Sequence, residues 1–154
     1  MKKRLRLVAL VLVLFLGVIQ FFHPEQNLGP PGGPNEIAAC FAVPAEVQTL
    51  LVSACYDCHS NHTRYPWYAR VQPVGWLLAH DVREGKGELN FSEFGAYTAK
   101  RRARKLEEIV REVGQGDMPM LTYSWMHPEA RLTAVQRKQI TAWAESLRAG
   151  IVPD

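Results

Sequence analysis

Three cysteines among 154 residues are too few for a disulfide framework. They yield only one close pair, which argues against a tetrahedral zinc centre built from two such pairs. An excess of one charge is missing too. The formal net charge of +3 rests on Lys2, Lys3, Arg4 and Arg6; beyond residue 22 the chain carries 14 basic side chains against 15 acidic ones. The electrostatic footprint of a nucleic-acid binder is therefore absent from the body of the protein, and no nucleic-acid partner is expected. No stretch alternates apolar and polar residues as a half-buried strand does, and no segment repeats. Long apolar runs are scarce as well, the single example being Leu7 to Phe22. A chain of this length builds one modest domain, whose core is marginal unless a bound group adds to it.

Three regions follow from composition. Residues 1–22, KKRLRLVALVLVLFLGVIQFF after the initiator, read as a signal anchor or transmembrane helix. The apolar run rises roughly 24 Å, and Leu5 with a snorkelling Arg6 extends it toward a ~30 Å hydrocarbon layer. FFHPEQNL follows it instead of a small-residue cleavage site, so the anchor is expected to be retained. Its basic end would then lie in the cytoplasm, and the remainder at the periplasmic or extracytoplasmic face of the cytoplasmic membrane. Residues 23–43, a Pro/Gly-rich linker and lead-in, are expected to be an irregular tether. Residues 44–154 form the domain. In it, PAEVQTLLVSACYDC has Val47, Leu50, Leu51 and Ala54 at helical spacing. A second helix is predicted from Ser92 to about Val113, and a third from Thr133, with Gln136 completing a capping box, to Gly150. The fold class is all-α, three main helices joined by long loops. Residues 60–91 and 114–132 lack helical periodicity yet hold Trp67, Trp76 and Trp125, and such segments need a surface to pack on.

That surface is implied by CYDCHSNHTRYPWY, Cys55 to Tyr68. Cys55 and Cys58 are three apart and His59 follows directly, the spacing of c-type haem attachment: two thiols bond to the porphyrin and the imidazole ligates iron. A zinc site, a redox-active dithiol and a small structural disulfide are the competing readings. A second iron ligand is sought in GDMPMLTYSWMHPEARL. Met118 is preferred because its Gly- and Pro-bounded loop cannot collapse into helix. Met120, Met126, His127 and His80 are its rivals, while His62 lies too near the attachment turn to reach the far face. Cys40 is expected to pack as a small buried hydrophobe, with an intermolecular disulfide as the alternative. The run KRRARK, Lys100 to Lys105, reads as a solvated helical face.

From about Pro44 to Leu147 the chain resembles the small haem-binding domain family of exported single-haem cytochromes c, through CYDCHSNHTRYPWY, VQPVGWLL, GELNFSEF and GDMPMLTYSWMHPEARLT with a Trp-bearing last helix. The resemblance implies one covalent haem c at Cys55 and Cys58, with His59 as proximal and Met118 as distal ligand. A looser similarity to class I cytochromes c implies that the Pro73 carbonyl accepts the His59 ring N–H. The function expected is that of a membrane-tethered electron carrier, not an enzyme, serving redox protein partners. A haem-based sensor or a peroxidase-like protein is the alternative.

Overall fold

An apolar residue every third or fourth position makes a helix wherever a neighbour covers the stripe, and the computed structural model, which describes residues 1–151, is helical throughout. Its helices are α1 (Lys2–Ile19), α2 (Ile37–Cys40), α3 (Ala45–Ala54), α4 (Tyr56–His59), α5 (Val74–Glu88), α6 (Ala99–Gln115), α7 (Leu121–Met126) and α8 (Ala134–Ala149). Short 3-10 turns lie at Trp67–Arg70, Phe91–Ala96 and Pro128–Ala130. No strand occurs among the described residues, and a single antiparallel bridge joins Leu28 to His62. Residues 152–154, assigned above to the domain, lie outside the described residues.

The frame is α6 against α8, with α3 across α8. Thr98 Oγ1 caps α6 by accepting from the Arg101 N–H at 3.2 Å, and the helix buries Leu106, Ile109 and Val113. Thr133 and Gln136 form the anticipated capping box on α8, which buries Ile140, Trp143 and Ala144. Leu51, Ile37, Phe91 and Phe94 complete a core of fully covered side chains. The second helix starts later than the sequence implied. Asn90 accepts from the Ser92 N–H and turns Phe91–Ala96 into a 3-10 segment, so the α-helix begins only at Ala99. The segment 60–91, read as loop, contains the 15-residue helix α5. Only Gly75 and Val82 of α5 are buried, so it offers no apolar stripe to read.

The expected transmembrane anchor is corrected. No helix among the described residues is long and apolar enough to cross a membrane. The reason lies in where α1 begins: it takes in Lys2, Lys3, Arg4 and Arg6 and stops at Ile19, leaving an apolar part of roughly 20 Å against a ~30 Å hydrocarbon core. The cytoplasmic membrane as a partner through this helix, and a location fixed by it, go with that reading.

Nor is the following segment a free tether. Gln20 and Gln72 bond reciprocally, side-chain amide to backbone, at 2.8 and 3.1 Å, and Trp76 Nε1 donates to the Phe22 carbonyl at 2.7 Å. Asn27 is pinned on every side: its Nδ2 donates to the Ser60 carbonyl and to Thr63 Oγ1, both at 2.9 Å, and its Oδ1 accepts from Lys86 Nζ at 2.7 Å. Its backbone is engaged too, the Asn27 N–H donating to the Tyr65 hydroxyl at 2.8 Å and the Asn27 carbonyl accepting from the Thr63 N–H at 2.9 Å, in a stretch ahead of α2 where proline and glycine disfavour helix.

Candidate functional site

The helix α3 breaks at Cys55, whose φ of −127° leaves the α region, and restarts as α4 one residue later. The Cys55 carbonyl accepts from the backbone N–H of Cys58 at 3.2 Å and of His59 at 2.9 Å, so the two thiols and the imidazole share one tight turn. Behind it, α5 comes close enough that a Cβ at Gly85 would stand 2.8 Å from the Cys58 carbonyl oxygen. Burial pushes the Cys55 and Cys58 thiols up to about 12, helped at Cys55 by Cys58 and at Cys58 by Asp81 and Asp57. Both are neutral thiols near pH 7.

His59 Nδ1 lies 3.1 Å from the Leu89 carbonyl oxygen. A carbonyl can only accept, so Nδ1 carries the proton and Nε2 keeps its lone pair. Burial lowers the His59 pKa, with the Leu89 and Gly85 carbonyls opposing, so the ring is neutral near pH 7. The Phe91 ring meets it edge-on at 6.4 Å between centroids. The orienting carbonyl therefore belongs to Leu89, not Pro73. Pro73 precedes α5, and its carbonyl is engaged by the N–H groups of Trp76 and Leu77 at 3.1 and 3.2 Å.

Cys55, Cys58 and His59 line a cavity of about 470 Å³ together with Met118, Met120 and Tyr123. Its deeper wall is apolar, from Leu51, Leu89, Phe91, Ile109, Val113 and Ile140. Met118 reaches it because α6 ends at Gly116, whose φ of +85° suits glycine, after which the N–H groups of Asp117 and Met118 fold back onto the Glu112 carbonyl at 2.9 and 3.2 Å. Met120 shares the cavity. The other rivals do not: Met126 is exposed, His80 pairs with Arg83 on the surface, and His127 stacks on Tyr123 at 3.9 Å with Nε2 at 3.0 Å from the Tyr68 hydroxyl. His62 bonds the Gly29 carbonyl through Nδ1 at 2.9 Å.

Carboxylates from α5 and α6, among them Asp81, Glu84, Glu88 and Glu108, also line the cavity, with Lys105 between them. Lys105 departs from the expected solvated face: its side chain is only 3% exposed and Nζ bonds Glu88 at 3.1 Å and Glu108 at 2.6 Å. Cys40 departs the other way, being exposed, with Sγ 3.1 Å from the Pro34 carbonyl oxygen.

Two participants were not foreseen. Asp57, between the cysteines, is buried and held by Arg64 through Nε and Nη2 at 3.0 Å each. Tyr123 donates to its Oδ2 at 2.6 Å across 66 residues of chain. The one signal in the sequence was an acid placed inside an otherwise apolar turn.

A family model described as a haem-binding domain matches residues 14–146. No curated protein and no solved structure matches the chain.

Proposed function

From the premise that the chain belongs to the haem-binding domain family, we propose that this haem-binding protein holds one haem covalently through Cys55 and Cys58. His59 and Met118 ligate the iron in this reading, and the protein passes single electrons between redox protein partners. The observation that carries it is the convergence of these four side chains on one cavity with an apolar floor. The donor set fits the group: two protonated thiols on one turn, a neutral imidazole with Nε2 free, and a thioether at the end of a capped helix. When bound, haem supplies a one-electron ferric–ferrous couple.

The chain's own residues do the rest. Leu89 fixes the His59 ring and its tautomer, so the imidazole presents Nε2 without a search over orientations. Phe91 stacks on Tyr56 of the attachment turn at 5.3 Å between centroids and so packs the turn against the core. Met118 offers a soft donor that favours the reduced state over the oxidised one. With both His59 and Met118 on the cavity wall to ligate the iron, a carrier, which needs no open position, is favoured over a peroxidase-like catalyst, which does.

The test is optical spectroscopy of the purified holoprotein, oxidised and reduced, with and without carbon monoxide. The parent should be low-spin and slow to bind carbon monoxide. Met118→Ala should turn high-spin, bind it readily and show a lower reduction potential, whereas Met120→Ala should keep the parent spectrum. An unchanged Met118→Ala would overturn the ligand assignment, and a parent that bound carbon monoxide at once would overturn the carrier.

A further inference from the structure

The segment bearing Met118 is loosely built. No residue of α7 is fully buried; it packs on the neighbouring turn Pro128–Ala130 and lays the half-buried Tyr123 ring against the core. Beyond the cap on Glu112, Arg131 holds the Ser124 and Trp125 carbonyls at 2.8 and 3.3 Å and His127 Nε2 lies 3.0 Å from the Tyr68 hydroxyl, while Tyr123 Oη reaches the Cys55–His59 turn by donating to Asp57 Oδ2 at 2.6 Å. The acceptor is fixed. Asp57 is 6% exposed and takes three bonds from Arg64: Nε and Nη2 at 3.0 Å each, and the backbone N–H at 3.2 Å. It also sits on the same turn as both thiols and His59. The donor is held from behind, with His127 stacked on the Tyr123 ring, and burial beside Asp57 keeps its hydroxyl protonated.

Resting on the reading of Met118 as ligand, we infer that Asp57 and Tyr123 form a latch between the attachment turn and the methionine segment, and that this latch sets how often the position held by Met118 opens. A merely structural ion pair would need Arg64 alone. Tyr123 adds a second attachment five residues beyond Met118, on a helix whose other inward hold is the packing of the Tyr123 ring on the core, which a phenylalanine keeps. Asp57 and Tyr123 are positioning residues in this scheme: neither is asked to touch the iron.

Tyr123→Phe tests it in the full-length, haem-loaded chain, since it keeps the ring on His127 and leaves Asp57 paired with Arg64. The ferrous variant should bind carbon monoxide about tenfold faster than the parent or more, a factor within reach of one lost charge-assisted hydrogen bond, while its resting spectrum stays low-spin. Tyr65→Phe removes a different half-buried hydroxyl, the acceptor of the Asn27 N–H at 2.8 Å, and should leave that rate alone. In the haem-free chain, amide exchange over residues 121–126 should quicken in Tyr123→Phe and not in Tyr65→Phe, a readout independent of loading. A Tyr123→Phe rate within twofold of the parent, with Met118→Ala fast, refutes the latch and spares the ligand. Equal acceleration by Tyr65→Phe also refutes it, as general loosening. A Met118→Ala variant no faster than the parent brings down latch and ligand together.

Discussion

Gly85 and Gly87 are two residues apart on α5, and replacing each by alanine should move stability in opposite directions. In a helix, alanine is favoured over glycine by about 0.8–1.0 kcal/mol. Neither glycine has a positive φ that would reserve the site, so propensity alone predicts a gain at both. At Gly87 nothing lies within 4 Å of the new Cβ, and the expected outcome is a gain of up to about 1 kcal/mol, smaller if the helix end frays. At Gly85 the Cβ would stand 2.8 Å from the Cys58 carbonyl oxygen, 3.1 Å from Cys58 Cβ and 3.3 Å from the Cys58 carbonyl carbon. Two of those atoms are backbone, so relief requires α5 and the attachment turn to part. Overpacking of that kind costs about 1–3 kcal/mol, and the upper end applies where backbone must move. Net of propensity, Gly85→Ala should lose about 1–2 kcal/mol, or about 2–8 °C in Tm for a chain of this size. Urea denaturation and thermal melts of both variants give the comparison, and haem content per chain should fall in Gly85→Ala only. If Gly85→Ala proved as stabilising as Gly87→Ala, the close approach of α5 to Cys58 would be wrong, and with it the packing of that wall of the cavity.

Replacing Cys55 and Cys58 together by alanine should abolish haem that survives denaturing electrophoresis; retention of a haem-stained band in that variant would refute covalent attachment. Lys105→Met should change stability by no more than about 1 kcal/mol, since an apolar isostere no longer needs the two carboxylates. Glu108→Gln, which leaves the ammonium buried with only exposed Glu88, should cost about 1–3 kcal/mol. Lys105 also holds the Glu88 carboxyl below its ordinary 4.5. That contribution to stability is full above 4.5 and is lost as pH falls through the folded-state value. Urea midpoints measured down the acid limb should therefore fall less steeply in Lys105→Met than in the parent.

The bodies of α6 and α8 are legible because their buried residues, Leu106, Ile109 and Val113 in one and Ile140, Trp143 and Ala144 in the other, recur at the helical period; the capping box also marks the start of α8, whereas α6 starts at its Thr98 cap and not at Ser92. α5 is not legible, because it is held by the close approach of Gly75 and Gly85 to their neighbours, and glycine reads as loop. At the site, the grouping of the two thiols and His59 on one turn could be read because they fall within five residues of sequence. Met118 was preferred on loop composition, and its neighbour Met120 proved to face the same cavity. The Leu89 carbonyl and the Tyr123 hydroxyl were out of reach, since their partners lie 30 and 66 residues away and neither contact leaves a period or a motif. The amino-terminal run was misjudged for a different reason: hydropathy described Leu7 to Phe22 as a unit, whereas the helix runs Lys2–Ile19 and shares its turns with four cations.

The Asn27 contacts span 33 residues to Ser60, 36 to Thr63 and 59 to Lys86. Closing loops of that length costs chain entropy before any of the contacts forms, and the residues to be joined must already be in place to receive it. Asn27 is thus expected to dock late in folding and, by the same reasoning, to leave early in unfolding, which amide exchange at Thr63, whose N–H donates to the Asn27 carbonyl, would read. The amino-terminal segment behaves as a clasp fastened after the garment is on. A fragment begun at Asn35 would keep the α3, α6 and α8 frame yet leave the Ser60 carbonyl, Thr63 Oγ1 and the Lys86 ammonium without the partner that joins them, and one begun at Pro44 would also take Ile37 out of the core, so a boundary drawn where the composition changes would cut through a working seam of the fold.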